Sequence, residues 1–458
     1  MRLESIPFDA LQVGMEATET RLCRADDLYA FANTSGNYNP LHVPEYDGDG
    51  DGEDEAIAPG MWVSSLISSV LGNKLPGPGT LYKSQALTFL GHANAGESLT
   101  AGVRVKKKSD DRIVQFETWV EKRNGDRIVE GEATVIAPET VQVFNMDDMP
   151  GLTVRRHVHF DRLLKAAEPL DPLKTVVVAP EEKSALLGAV LAAEHTLIDP
   201  ILIGDLGKVK SLALEHDLDI SKFEIIDEAE HRMAAARAVA MVNDGGAKAI
   251  MKGHLHTDDL LAEVIKSDGG LRTGKRVSHV FVMDVPSLDH PLIITDAAIN
   301  IMPDLKTKAD IIQNAIYLAH ALGIKEPRVA VLSAVETVNP AIPSTLDAAL
   351  LSKMADRGQI KGGIVDGPLA MDNAVNIGAA RAKGIRSSVA GQADILVAPN
   401  LDAGNMIAKQ LTFLSYAEAG GLVLGCKCPI ILTSRADKSK SRLASCALAV
   451  LAAEGAAA

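Results

Sequence analysis

The sequence predicts two units of different class: an α+β unit over residues 1–140, then a larger α/β unit on a mostly parallel sheet. Three observations predict it. Residues 1–150 carry 24 acids against 13 bases, whereas the rest of the chain carries 36 against 33, so the formal charge of −14 is concentrated in the first part. Within that part, one apolar helix precedes a meander of alternating strands. From residue 174 onward, short apolar runs alternate with helical stretches, as in a parallel sheet covered on both faces.

The 458 residues leave room for two to four domains, at roughly 100–200 residues each. The negative charge argues against non-specific binding to nucleic acid or anionic membranes. No apolar run reaches the ~18 residues that span a bilayer. The opening MRLESIPFDALQVG lacks a basic stretch followed by an apolar one, so no signal peptide is expected. Cys23, Cys426, Cys428 and Cys446 are too few for a disulfide framework, and a reducing cytoplasm is the expected location.

In the first unit, residues 24–34 predict a short helix with Asp26 and Asp27 at its positive end. A second helix is predicted over 61–72, stopped at Gly72. Strands follow at 80–90, 97–107, 111–122 and 127–137, with Asn124-Gly125 as a hairpin turn. Residues 141–172 read as a linker, broken by Pro150-Gly151 and Asp171-Pro172. The second unit, 173–458, offers strands at 175–180, 200–205, 223–227, 247–253, 328–334, 362–368, 393–399 and 429–434.

In parallel sheets, ligands bind beyond the C-terminal strand ends. Those ends carry Lys252-Gly253-His254, Ser333, Asp366-Gly367-Pro368, Asn400 and Thr433-Ser434-Arg435. Donors and hydroxyls gathered on one edge suit a phosphate-like anion and a polarised carbonyl.

The segments IMKGHLHTDDLL (250–261), LRTGKRVSHVFVMD (271–284), ITDAAINIMPDLK (294–306), AGQADILVAPNLDAGN (390–405) and LTSRADKSKSRLASCALA (432–449) make the resemblance specific. Residues 174–455 resemble the phosphate acetyl/butyryltransferase family, most of all its butyryl branch. The resemblance implies a two-part α/β fold with its site in the cleft between the parts. It implies exchange of a short acyl group, acetyl or butyryl, between coenzyme A and inorganic phosphate. Ser434 and Arg435 match the family's Ser-Arg pair: a hydroxyl donor, and a guanidinium fork suited to phosphate. The general base of the acetyl branch lies seven residues beyond that serine. Ser441 stands there, and Asp437 is the nearby carboxylate, so the base stays unassigned. Arg272 is the next phosphate candidate; Lys252 and His254 would carry charge at a strand end, and Asp366 and Asn405 would shape the site. The expected partners are acyl-CoA or CoA and phosphate or acyl phosphate, in a homo-oligomer (a dimer or a multiple of one). No cofactor is expected. No metal is expected either, because Cys426 and Cys428 form a C-x-C with no further ligand at zinc spacing.

In the first unit, SGNYNPLHV (35–43) and IAPGMWVSSLISSVLG (57–72) resemble the MaoC-like hydratases of hot-dog fold. These add water to an enoyl-CoA with an Asp and, five residues on, a His. His42 is present, but Asn37 occupies the Asp place, and an amide cannot take a proton near neutrality. The acidic run 47–55 approaches an EF-hand pattern, but its twelfth position is Ala58, so it reads as a solvated loop. Two readings follow: an acyltransferase with a degenerate hot-dog module, or a bifunctional hydratase and acyltransferase. A dehydrogenase reading lacks both a G-x-G-x-x-G after a strand and a metal-holding Asp cluster.

Overall fold

The computed structural model describes residues 2–46, 55–146, 152, 154, 156–432 and 438–457, and the chain divides between Val154 and Arg155. The first unit runs β1 (Arg2–Glu4), β2 (Glu16–Leu22), α1 (Ala25–Ser35), α2 (Gly60–Asn73), β3 (Leu81–Phe89), β4 (Ser98–Lys108), β5 (Ile113–Lys122), β6 (Arg127–Ile136) and β7 (Val143–Asn145). Five strands form an antiparallel sheet in the order β2-β4-β5-β6-β3. Trp62, Val63, Leu66, Ile67, Val70 and Leu71 recur at helical spacing on α2. They share one core with Val103, Phe116, Val120 and Val135 of the sheet. At the Asn124-Gly125 turn, Gly125 takes φ +89°. β2 was not anticipated, because EATETRL is polar and lies on a sheet edge where little is buried. α2 runs one residue past Gly72.

The second unit opens with α3 (Val158–Ala167) and β8 (Leu173–Val178), then α4 (Lys183–Glu194), β9 (Ile198–Gly204), α5 (Leu206–Glu215), β10 (Glu224–Asp227) and α6 (His231–Asn243). Next come β11 (Ala249–Lys252), α7 (Thr257–Val264), β12 (Ser278–Asp284), β13 (Leu292–Thr295), α8 (Leu305–Ala321), β14 (Arg328–Leu332), α9 (Pro343–Asp356) and β15 (Ile364–Leu369). The chain closes with α10 (Met371–Val375), α11 (Ile377–Ala382), β16 (Ile395–Val397), α12 (Leu401–Leu414), β17 (Glu418–Leu424), β18 (Ile430–Ile431) and α13 (Ser439–Ala457). The residues read as a linker are not bare connection. Val143–Asn145 pairs with the first strand. α3 buries Phe160, whose amide donates to Asp284 Oδ2 at 2.8 Å, within the second unit.

The eleven strands form one ladder, β10-β9-β8-β11-β18-β17-β12-β13-β16-β14-β15. From β10 to β18 every pairing is parallel. β17 is antiparallel to both neighbours, and β13 is antiparallel to β12. From β13 to β15 the pairings are parallel again. The sequence pattern missed β12, β13 and β17, which lie at the centre of the ladder. Those strands reverse its sense, so the C-terminal ends of the two parallel blocks emerge from opposite edges. The expectation that all the strand ends share one edge is therefore corrected.

Candidate active site

β8, β11 and β18 are parallel neighbours. Met251 pairs with Ile431, Ile431 with Leu422, and Phe281 with Gly421. Lys252, Leu432, Gly421 and Phe281 therefore lie in one row across the ladder. The turn after β11 packs on the turn after β8: Gly253 N donates to Val178 O at 2.8 Å and His254 N to Ala179 O at 2.6 Å. A Cβ on Gly253 would lie 2.3 Å from Ala179 O and 2.4 Å from Val178 O, so only glycine fits there. The Lys252 ammonium donates to the carbonyls of Gly253 and Leu255, each at 3.1 Å, which ties it to this turn.

Two carboxylates flank the turn. Burial alone would raise the pKa of Glu181, but the Asp205 amide, Lys208 and His231 hold it below the usual carboxylate range. His231 Nε2 lies 3.3 Å from Glu181 Oε2. His254 Nε2 lies 4.0 Å from Glu182 Oε2, and its ring meets the edge of His231 with centroids 6.3 Å apart.

α4 and α13 begin side by side at this edge and enclose a cavity of about 390 Å³ lined by Lys183, Ser184, Gly188, Lys438, Ser439 and Arg442. Arg442 is only 5% exposed, and the bare Cα of Gly188 makes room for it: a Cβ there would lie 3.1 Å from Arg442 Cδ. Two serines, three cationic residues and one acid, Glu182, line it. That donor set fits a phosphate dianion.

Ser434, Arg435 and Asp437 lie outside the described residues; β18 ends two residues before them and α13 starts after them. Ser441 is buried, and its carbonyl accepts the Ser445 hydroxyl at 2.9 Å. A buried serine hydroxyl does not titrate near neutrality, so it does not replace a carboxylate base. Lys252 and His254 belong to the edge that borders this segment. Arg272 does not: it bridges Cys426, five residues along the chain from Gly421, or roughly 17 Å at ~3.3 Å per residue. Asp366 sits on β15, seven strand positions from β11, where its Oδ1 accepts the Gly367 amide at 2.8 Å. Asn405, on α12, donates to Ala297 O at 3.1 Å beside the loop after β13.

In the first unit, His42 is half-buried at the end of a short turn, and its Nδ1 lies 2.7 Å from Ile57 O. The carbonyl can only accept, so Nδ1 carries the proton and Nε2 keeps the basic lone pair. Asn37 is exposed, and its side-chain oxygen accepts the Asn39 amide at 3.3 Å.

Residues 231–450 match the model of the phosphate acetyl/butaryl transferase family, and 10–139 match that of the MaoC like domain. The phosphate acetyltransferase of Rhizobium meliloti is 57% identical over 292 residues, spanning 64% of this chain and 92% of that protein. The chain belongs to the phosphate acetyl/butyryltransferase family. The phosphate butyryltransferase of Clostridium acetobutylicum is 46% identical over 282 residues, spanning 61% of this chain and 94% of its own. A solved branched-chain phosphotransacylase from Enterococcus faecalis V583 superposes with a TM-score of 0.54 at 30% identity, over 61% of this chain and 99% of that one. The second unit is thus the phosphate acyltransferase, and a MaoC-like domain of hot-dog fold precedes it.

Sequence reasoning missed cations of this acyltransferase edge and a buried histidine two residues nearer the opposite edge than the row of Gly421. Lys183, Lys438 and Arg442 carry no strand-end signal, because Lys183 and Arg442 lie in the first turns of helices and Lys438 just before one. His279 is buried beneath the row of Gly421, and its Nδ1 has no partner among the described residues. Burial pushes its pKa down, against the pull of Asp296, and keeps the ring neutral. A Cβ on Gly421 would lie 3.1 Å from His279 Nε2 and 2.6 Å from Leu432 O. Asp296 accepts the amides of His279, Ala298, Ile299 and Asn300, at 2.9–3.3 Å. The signal was available in the SHV and TDAAIN runs, but burial was not.

Proposed function

We propose that phosphate, or the phosphoryl end of an acyl phosphate, binds between the first turns of α4 and α13, held by Lys183, Lys438 and Arg442. Coenzyme A then approaches the acyl carbon from the Ser434–Arg435 segment. In one direction, the CoA thiolate attacks the acyl-phosphate carbonyl, the carbon–oxygen bond to phosphate breaks, and a thioester remains. In the other, a phosphate oxygen attacks the thioester and the thiolate leaves. The carbonyl oxygen becomes an oxyanion in both directions. The Ser434 hydroxyl and the Arg435 fork donate to the charge that develops.

The observation that carries this reading is the basic cavity at the one edge that borders residues 433–437. The acyl group is short, acetyl or butyryl. The direct test measures CoA release from acetyl-, butyryl- and longer acyl-CoA, with and without phosphate and with a chelator present. Release only with phosphate, unaffected by chelator, is the expected result; phosphate-independent release would make the protein a thioesterase.

The hot-dog unit is proposed to hold acyl-CoA with little hydratase activity, since Asn37 cannot act as the base. One observation favours the bifunctional reading: the His42–Ile57 hydrogen bond leaves Nε2 as a proton acceptor. We further place the protein in the cytoplasm, as a homo-oligomer that binds neither nucleic acid nor membrane. Four free cysteines support the compartment. Exposed Met406, Phe413 and Leu414 on α12 support self-association. The net charge of −14 supports the rest, and among the described residues no helix is long and apolar enough to cross a bilayer.

A further inference from the structure

The connection between β17 and β18 opens a second cavity at the edge opposite Lys252. Its volume is about 730 Å³, within the roughly 300–1,000 Å³ typical of small-molecule sites. Part of its wall is apolar: Val242, Leu424, Pro429 and Ala452. Lys248, Lys275 and Lys427 supply the charge.

The polar groups of the wall are already committed. The Thr273 hydroxyl donates to Gly425 O at 2.7 Å, Asn314 Nδ2 to Arg276 O and Ser278 Oγ at 2.9 Å, and the Tyr317 hydroxyl to Ala452 O. Burial pushes the Cys426 thiol up to about 12, so it stays protonated, and the Cys428 thiol is raised as well. Asp310 is the nearby acid, and it accepts the Arg276 amide at 3.1 Å. Among the described residues, none of the three lysines forms an ion pair. Lys427 Nζ donates to the neutral Asn243 side chain at 2.7 Å.

Three solvent-exposed lysines without an ion-pair partner among the described residues thus line one concavity beside an apolar wall. The lysines offer charge to a bound anion, and the apolar wall offers contact to an uncharged body. We propose that this cavity is a second ligand site that takes a phosphorylated molecule with an apolar ring system, of the nucleoside diphosphate class. It is distinct from the phosphate pocket of α4 and α13, which lies at the other edge of the ladder.

The test is equilibrium dialysis of the full-length protein with labelled ADP, using adenosine and pyrophosphate as competitors. Saturable binding is expected, weakening as salt is raised, with each competitor weaker than ADP because each supplies only half of the contacts. Lys248→Ala/Lys427→Ala should weaken ADP at least ~10-fold, about 1.4 kcal/mol. Its kcat and its KM values for acyl-CoA and phosphate should change less than about twofold, since neither lysine borders the acyl-transfer edge. Lys183→Ala should leave ADP binding unchanged. No saturable binding, equal binding by the double variant and wild type, or loss of ADP binding only in Lys183→Ala would each overturn the proposal. The last result would mean that ADP reports the acyl-transfer site. Phosphate-dependent CoA release tests the proposed reaction separately, so either reading can fail without the other.

Discussion

The two units hold their candidate chemistry in different ways. In the hot-dog unit, Asn37 and His42 sit on one short surface stretch, and the His42–Ile57 bond orients the imidazole. In the acyltransferase unit, Lys252, Lys183 and Arg442 come from segments up to 259 residues apart, joined by the pairing of β8, β11 and β18. In the first arrangement a single position, Asn37 in the Asp place, alters the dyad while the fold is kept. The second gathers its residues at a sheet edge, where Arg442 is buried, Lys252 half-buried and Lys183 exposed.

The largest effect should come from Arg435→Ala, which we expect to lower acyl transfer by roughly two orders of magnitude, the usual cost of a preorganised oxyanion donor. Arg435→Lys should recover only part, because a point charge does not replace a bidentate fork. Unchanged kinetics in a folded Arg435→Ala would remove that residue from the site.

Asn37→Asp addresses the loop dyad. Restoring the carboxylate should raise crotonyl-CoA hydration at least ~10-fold, the low side of what general-base catalysis contributes. Acyl transfer should not move. Robust hydration by wild type with no gain in the variant would favour the bifunctional reading.

A smaller effect is expected from Lys183→Ala. The KM for phosphate should rise about three- to tenfold with kcat nearly kept, since an exposed ammonium on a phosphate contributes about 1 kcal/mol. A fall in kcat at constant KM would move Lys183 from binding to chemistry.

The smallest effect is on stability. His279 titrates below its ordinary range in the folded protein, so the unfolded chain binds its proton first as pH falls. The stability this contributes is present above the unfolded pKa near ~6.5 and is lost as pH drops from there toward the folded value. Denaturant midpoints measured from pH 7.5 to 5 should fall less steeply in His279→Gln than in wild type. Equal slopes would mean that the ring is protonated in the folded state.

Much of this was legible beforehand. The first helix and the strand meander of the hot-dog unit follow from apolar spacing, and the outer strands of the acyltransferase sheet follow from short runs such as TVVVAP and ADILVAP. The centre was not legible. SHVFVMD, LIIT and EAGGLVL are as apolar as their neighbours, and apolar runs do not encode strand direction. That one omission put Asp366 on the same edge as Lys252. Helix first turns hid Lys183 and Arg442, because a cation in a polar turn looks like ordinary surface until a second helix starts beside it.

The reversal at the centre of the ladder also bears on mechanics. Among the described residues, β18 pairs with β11 and β17 at Ile430 and Ile431, whereas β12 and β17 share seven paired residues. Relative motion of the two parallel blocks cannot swing on a loose hinge, because hydrogen bonds run across the whole width. It must bend the sheet, and bending concentrates where the splice is shortest. That splice leads directly into residues 433–437. Amide exchange at Ile430 and Ile431 should therefore outpace that in β12.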